Sequence, residues 1–266
     1  MDDFAPSFGP ASSPAAPSPE ATPPHDIAVE AAPAVAITAD TPNAAPAEIA
    51  PTELAAEVNP HELATQMVAK LCHDFISPAG AIMSGLDLLD DPSAQDMRQE
   101  ALNLIAASAK KMVTLVHFAR VAFGAATSAE SFSGRELKKI LTDVYSTMRA
   151  QLDFAIADDL IFSKPAARAL LNLGLIAGNA LPTGGTARLE AKIDGAAIHL
   201  TSESRGPRAR LKVEAIEGLK GLPLGEGLSG QWIQPHWLYS TVKESKGRLD
   251  FRSDTDALFF DISLPV

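Results

Sequence analysis

Two successive stretches repeat apolar residues at spacings of three and four, and they limit what this chain can fold into more than any other feature. The first runs through Met67, Leu71, Phe75, Pro78, Ile82, Leu86 and Leu89, and the second through Met97, Ala101, Leu104, Ser108, Met112, Leu115, Ala119 and Ala122. Such spacing places one apolar face along each of two long helices. Asn59 is a good N-cap for the first helix, with Pro60 in the first turn, where a missing N–H costs nothing. Asp90-Asp91-Pro92-Ser93 ends it, and Pro92 or Ser93 opens the second helix, which is expected to run to Gly124. Two long helices joined by a tight turn make an antiparallel hairpin. A lone hairpin leaves a full seam uncovered, so a homodimeric four-helix bundle is expected over residues 58–126.

Inside the first helix stands Leu71-Cys72-His73-Asp74-Phe75-Ile76-Ser77-Pro78. An apolar helical segment is an expensive place for a histidine. His73 and Asp74 fall beside the seam, where a side chain reaches solvent while packing holds its backbone rigid, as expected of a reactive group on a scaffold. A neutral imidazole needs one nitrogen free as nucleophile and the other N–H held by an acceptor, and Asp74 is the candidate acceptor or base. Ser77 lies one turn after His73, and Pro78 removes the N–H that would bond the Asp74 carbonyl. Metal binding at Cys72-His73-Asp74 is disfavoured because consecutive helical positions diverge and no second ligand pair exists. Ala79, Met83, Arg98 and Lys110 are candidates for partner contact.

Beyond residue 130 the pattern changes. Ser133-Gly134-Arg135-Glu136 reads as a capping box opening a helix to about Ala150, followed by a strand near Leu152 to Ile156. A buried helix is expected over 165–180. A hairpin of 187–193 and 196–201 turns at Asp194-Gly195. Helices are expected over 207–218 and 235–246 around a glycine-rich loop at 221–230, with closing strands at 247–251 and 257–264. The expected class is α+β, with residues 131–266 forming a two-layer sandwich.

Residues 1–57 combine seventeen alanines with many prolines, and Phe4 and Phe8 are their only aromatics. Such a segment cannot bury enough apolar area to offset its ordering entropy, and it is read as a disordered, acidic Ala/Pro-rich tail. Residues 1–60 carry nine acidic residues and no Lys or Arg, so of the net charge of -11 the rest of the chain holds only -2. No nucleic-acid surface is expected. No apolar run of eighteen residues exists, so no membrane association is expected, and Cys72 is the only cysteine, so the expected setting is cytoplasmic.

His73-Asp74-x-x-Ser77-Pro78 on the first of two long helices, followed by an α+β domain, resembles the H-box and layout of histidine kinases. Leu71-Cys72-His73-Asp74, Pro78-Ala79-Gly80-Ala81-Ile82 and Gly85-Leu86-Asp87-Leu88-Leu89 look more specifically like the ChpT-type histidine phosphotransferases of alphaproteobacterial phosphorelays. The resemblance covers about residues 60–266. It implies a dimerisation and phosphotransfer hairpin and a kinase-ATPase-like domain. His73 is implied as the phosphoryl carrier between aspartates of receiver domains, one on a hybrid histidine kinase and others on cell-cycle response regulators.

Three departures separate this chain from a working kinase. Where a kinase carries Asn-Leu-x-x-Asn-Ala, with the second Asn on magnesium, this chain has Asn172-Leu173-Gly174-Leu175-Ile176-Ala177, and isoleucine cannot ligate a hard cation. The adenine-binding Asp-x-Gly-x-Gly corresponds to Ser204-Arg205-Gly206-Pro207-Arg208, which lacks the acid. The last glycine run falls on Trp232-Ile233-Gln234-Pro235, whose bulk blocks close approach of backbone N–H groups to phosphate. A degenerate domain without ATP binding is therefore expected. The chain would hold no cofactor of its own, and Mg2+ would come from the partner receiver. The rival readings are an ATP-dependent histidine kinase and a non-catalytic dimeric adaptor.

Overall fold

The computed structural model describes residues 58–124, 129–225 and 227–266. The expected tail and the last two residues of the expected hairpin segment lie outside the described residues. Helix α1 spans Pro60–Asp90, and the Asn59 side chain accepts from the His61 N–H at 2.9 Å. Asp91 caps a short 3-10 segment, Pro92–Met97, which leads into α2, Arg98–Ala122. The two helices pack closely at Gly85: a Cβ there would sit 2.6 Å from the Ile105 side chain and 3.2 Å from the Ala101 carbonyl. Only a residue without a side chain permits this approach.

The seam differs in detail from the expected one. Met67, Pro78 and Gly85 on α1 and Ala101, Ser108, Phe118 and Ala122 on α2 are buried, whereas Leu86, Met97 and Leu104 are exposed. A helix with apolar residues on more than one face carries two readings of the same spacing, and only the position of its neighbours selects one.

The C-terminal part carries β1 (Ser131–Ser133), α3 (Gly134–Tyr145), β2 (Ala150–Phe154), β3 (Ile161–Ser163), α4 (Lys164–Asn179), β4 (Gly185–Asp194), β5 (Ala197–Arg205), α5 (Val213–Leu219), α6 (Ser229–Glu244), β6 (Arg248–Asp254) and β7 (Ala257–Pro265). Five strands form a mixed sheet ordered β2-β4-β5-β7-β6, in which β2 runs parallel to β4 and the other pairs are antiparallel. β1 and β3 pair separately as a short antiparallel ladder. One sheet face presents Leu189, Leu200, Phe260 and Ile262 to a core shared with Leu137, Leu141, Leu170 and Leu173 of α3 and α4. The architecture is α+β in two layers.

The capping box is present: the Ser133 N–H donates to Glu136 Oε2 at 2.7 Å, and the Glu136 N–H to Ser133 Oγ at 3.3 Å. The Ser133 backbone N–H and, at 2.8 Å, the Ser133 hydroxyl both donate to Glu136 Oε2 and in that order lower the Glu136 pKa. Helix α3 stops at Tyr145, earlier than expected, because β2 begins at Ala150. The β4–β5 turn is Gly195-Ala196, one residue later than expected. The register pairs Asp194 with Ala197, and Gly195 takes a positive φ of 57°. The helix expected over 207–218 is confined to α5.

Helix α6 begins at Ser229, six residues before the expected start. Pro235 lies inside it, and Trp232 and Ile233, expected in the loop or phosphate region, are helical core residues. They pack with Met67 at the foot of α1, with Leu63, Leu71 and Trp237 around them. At the other helix, Phe118 and Ala122 enter the main core. Hairpin and sandwich thus form one compact unit.

His236 of α6 is buried, stacks on Trp232 at a ring separation of 4.4 Å, and its pKa is pushed down to about 4, first by burial and then by Lys243. An unfolded histidine titrates near 6.5. Between these values the unfolded chain binds the extra proton, so this contribution is complete above about pH 6.5 and is lost as pH falls toward 4. After solvent screening the loss is on the order of 2 kcal/mol. Urea midpoints should fall between pH 7 and 4.5, and His236→Leu should flatten that slope; an unchanged slope in the variant would remove His236 as its source.

Candidate functional site

Pro78 is buried and cannot donate to the Asp74 carbonyl, so the turn holding His73 sits just below a missing helical hydrogen bond. The His73 side chain is 87% exposed, and its Nδ1 lies 3.3 Å from Asp74 Oδ1. Asp74 is only 29% exposed, and its second oxygen, Oδ2, accepts from Lys70 Nζ at 2.8 Å. The imidazole therefore stands in solvent beside a carboxylate that is held from its other side. With Nδ1 facing a carboxylate, the tautomer that carries its proton on Nδ1 is favoured, and Nε2 is left with a free lone pair.

His73 and Asp74 open onto a cleft of about 680 Å³ between α1 and the sandwich. Its far wall comes from the end of α4 (Ile176, Asn179), from Arg210 and Lys212 ahead of α5, and from Ser229, Gln231 and Gln234 at the start of α6. Arg210 and Lys212 give it cationic character, suited to an acidic partner or a phosphoryl group, while Lys70 is paired with Asp74. Among the described residues no group of three or more His, Cys, Asp or Glu stands close enough to hold a metal ion.

The residues matched to kinase nucleotide motifs have other duties. Asn172 is fully buried and donates to the carbonyls of Ala122 at 3.0 Å and Arg168 at 2.8 Å, while its Oδ1 accepts from Gln234 Nε2 at 3.3 Å. Trp237 Nε1 also donates to Ala122 at 3.3 Å, so this cluster ties the end of α2 to α4 and α6. Ile176 is an apolar part of the cleft wall, and buried Ser204 donates to the Ala177 carbonyl at 3.1 Å.

Ser77 is exposed one turn after His73. Ala79 is half-buried and Met83 exposed, on the side of α1 that also carries Val68, Cys72, Ile76 and Leu86. Lys110 is exposed on α2. Arg98 begins α2 at the closed end of the hairpin, about 25 Å along α1 from His73 at 1.5 Å per residue, so it does not join the cleft. The cleft residues Lys70, Arg210 and Lys212 were not singled out from sequence, and Gln234 only as part of the altered glycine run. For Lys70 a signal existed, its i,i+4 spacing to Asp74. For Arg210 and Lys212, separated from His73 by more than a hundred residues, none did.

Residues 134–257 match the model of the family described as the histidine phosphotransferase C-terminal domain. Protein phosphotransferase ChpT of Brucella abortus (strain 2308) is 26% identical over 200 residues, covering 75% of this chain and 94% of the relative. A solved structure described as a bacterial phosphotransferase superposes with a TM-score of 0.69 at 23% identity, covering 79% of this chain and all of the other, which shows a shared fold. No described helix is long and apolar enough to cross a membrane. The matched C-terminal domain, the relative aligned along most of both chains and the shared fold support a ChpT-type histidine phosphotransferase.

Proposed function

We propose that this chain relays phosphoryl groups between aspartates of receiver domains through a phosphohistidine at His73, without binding ATP. The observation that carries the reading is the exposed imidazole with its Nδ1 against the Asp74 carboxylate at the mouth of a cationic cleft. In the forward step Nε2 attacks the phosphorus of an aspartyl phosphate. The N–P bond forms, the P–O bond breaks, and its electron pair returns to the receiver carboxylate. Nε2 carries no proton in this tautomer, so none has to leave. The proton on Nδ1 stays beside Asp74, whose charge balances the phosphoimidazolium. A second receiver reverses the step. In-line positioning and charge neutralisation carry such a transfer, and the receiver supplies Mg2+.

A receiver bringing its acidic phosphorylation site to His73 would lie over the cleft against Arg210 and Lys212, with Lys110 as a further contact. The partners proposed are the receiver of a hybrid histidine kinase upstream and cell-cycle response regulators downstream, in the cytoplasm. The lack of ATP binding is supported by the occupation of the matched positions: Ile176 where a metal-binding asparagine would stand, Ser204 bonded into α4, and Trp232 and Ile233 packed against α1. A homodimeric four-helix bundle is supported by outward apolar stripes on both helices, Val68, Cys72, Ile76, Ala79, Met83 and Leu86 on α1 and Leu102, Ala106, Val113 and Val116 on α2.

The chain mixed with a ³²P-labelled receiver should take up acid-labile label at His73 and pass it to a second receiver, while labelled ATP with Mg2+ should leave it unlabelled. The same material should sediment at twice the chain mass. Labelling from ATP would overturn the phosphotransferase reading in favour of a kinase, and monomers would overturn the bundle.

A further inference from the structure

Lys70 is bound into the site although it reaches no reacting atom. It sits four residues before Asp74, its side chain is only 14% exposed, and its Nζ holds Asp74 Oδ2 at 2.8 Å while Oδ1 of the same carboxylate faces His73 Nδ1 at 3.3 Å. Residues next to each other on a helix point about 100° apart, so an aspartate meets the ring of the preceding histidine only when its carboxylate is turned back toward it. A cation one turn below selects that orientation. We propose that Lys70 is a positioning residue, which anchors one oxygen of Asp74 so that the other keeps the His73 proton on Nδ1 and leaves Nε2 as the nucleophile. This deepens the proposed phosphotransfer at His73 and rests on it.

The arrangement has a second consequence. When phosphorylation makes the ring cationic, the Asp74 oxygen beside Nδ1 lies in place to balance that charge, because the other oxygen is engaged by Lys70. Without the lysine the carboxylate turns freely between the ring and water, and the ring's two neutral tautomers become closer in population. The tautomer with its proton on Nε2 has no lone pair there to attack phosphorus.

The test uses the full chain with Lys70→Met, which keeps length and apolar stem but removes the charge, and Lys70→Arg, which restores it. ¹⁵N NMR of the unphosphorylated imidazole should show the Nδ1–H tautomer dominant in the parent chain, a mixture in Lys70→Met and recovery in Lys70→Arg. The maximal rate of transfer from a phosphorylated receiver should fall roughly tenfold in Lys70→Met, the scale for a residue acting through another's orientation, with the half-saturating receiver concentration unchanged. An unaltered tautomer and rate in Lys70→Met would overturn the proposal. So would a raised half-saturating concentration at unchanged maximal rate, which would make Lys70 a docking contact. A parent chain that accepts no phosphoryl group would refute the phosphotransfer reading instead, while the NMR comparison would still decide whether Lys70 sets the His73 tautomer.

Discussion

His73→Gln is expected to stop phosphoryl flow between receivers, by about 10³-fold or more, while leaving the fold intact. Glutamine preserves polarity and approximate size, but its amide nitrogen has no lone pair available to attack phosphorus, so the covalent route is closed rather than slowed. The His73 side chain is 87% exposed and its bond to Asp74 is long, at 3.3 Å, so the variant's stability should stay within about 0.5 kcal/mol of the parent. Receivers should still bind, because the cleft walls are untouched. The checks are receiver-to-receiver label transfer, a binding isotherm and a melting curve on the same preparation. Undiminished transfer through His73→Gln would end the phosphohistidine reading and leave the chain as a docking adaptor.

The second large effect is on stability. Trp232→Ala should cost roughly 3–5 kcal/mol, the range for truncating a buried tryptophan. Trp232 is 1% exposed, donates from Nε1 to the Leu222 carbonyl at 3.0 Å, stacks on His236 and forms with Met67 and Ile233 the core that seats α1 on α6. Its loss opens a cavity where the foot of the hairpin meets the sandwich. Urea denaturation followed by circular dichroism measures this, and a loss below about 1 kcal/mol would show that the α1–α6 contact is not what Trp232 holds. The functional consequence runs through geometry, since the cleft is walled by α1 on one side and by the start of α6 on the other.

The parts of the fold that were legible beforehand are those whose causes lie within a few residues. Asn59-Pro60 opens α1 because an N-cap and a first-turn proline act locally, and Ser133 and Glu136 form their reciprocal bonds within one turn. The β1–β3 ladder was not legible, since three-residue strands are too short to show a period and owe their pairing to segments thirty residues apart. The start of α6 was obscured by Pro235. A proline commonly opens a helix, yet here tertiary packing of Trp232 and Ile233 sustains the two turns before it.

The candidate site divides in the same way. His73, Asp74, Ser77 and Pro78 are set by one helix, and the sequence alone determined that an imidazole and a carboxylate would share a rigid turn, since helical geometry is local. Which oxygen of Asp74 faces the ring, what holds the other, and the cationic wall of Arg210 and Lys212 opposite were decided by the tertiary structure. Side-chain orientation depends on partners that folding assembles, and a residue near position 210 meets one near 73 only after α1 has docked on α6 through Met67 and Trp232.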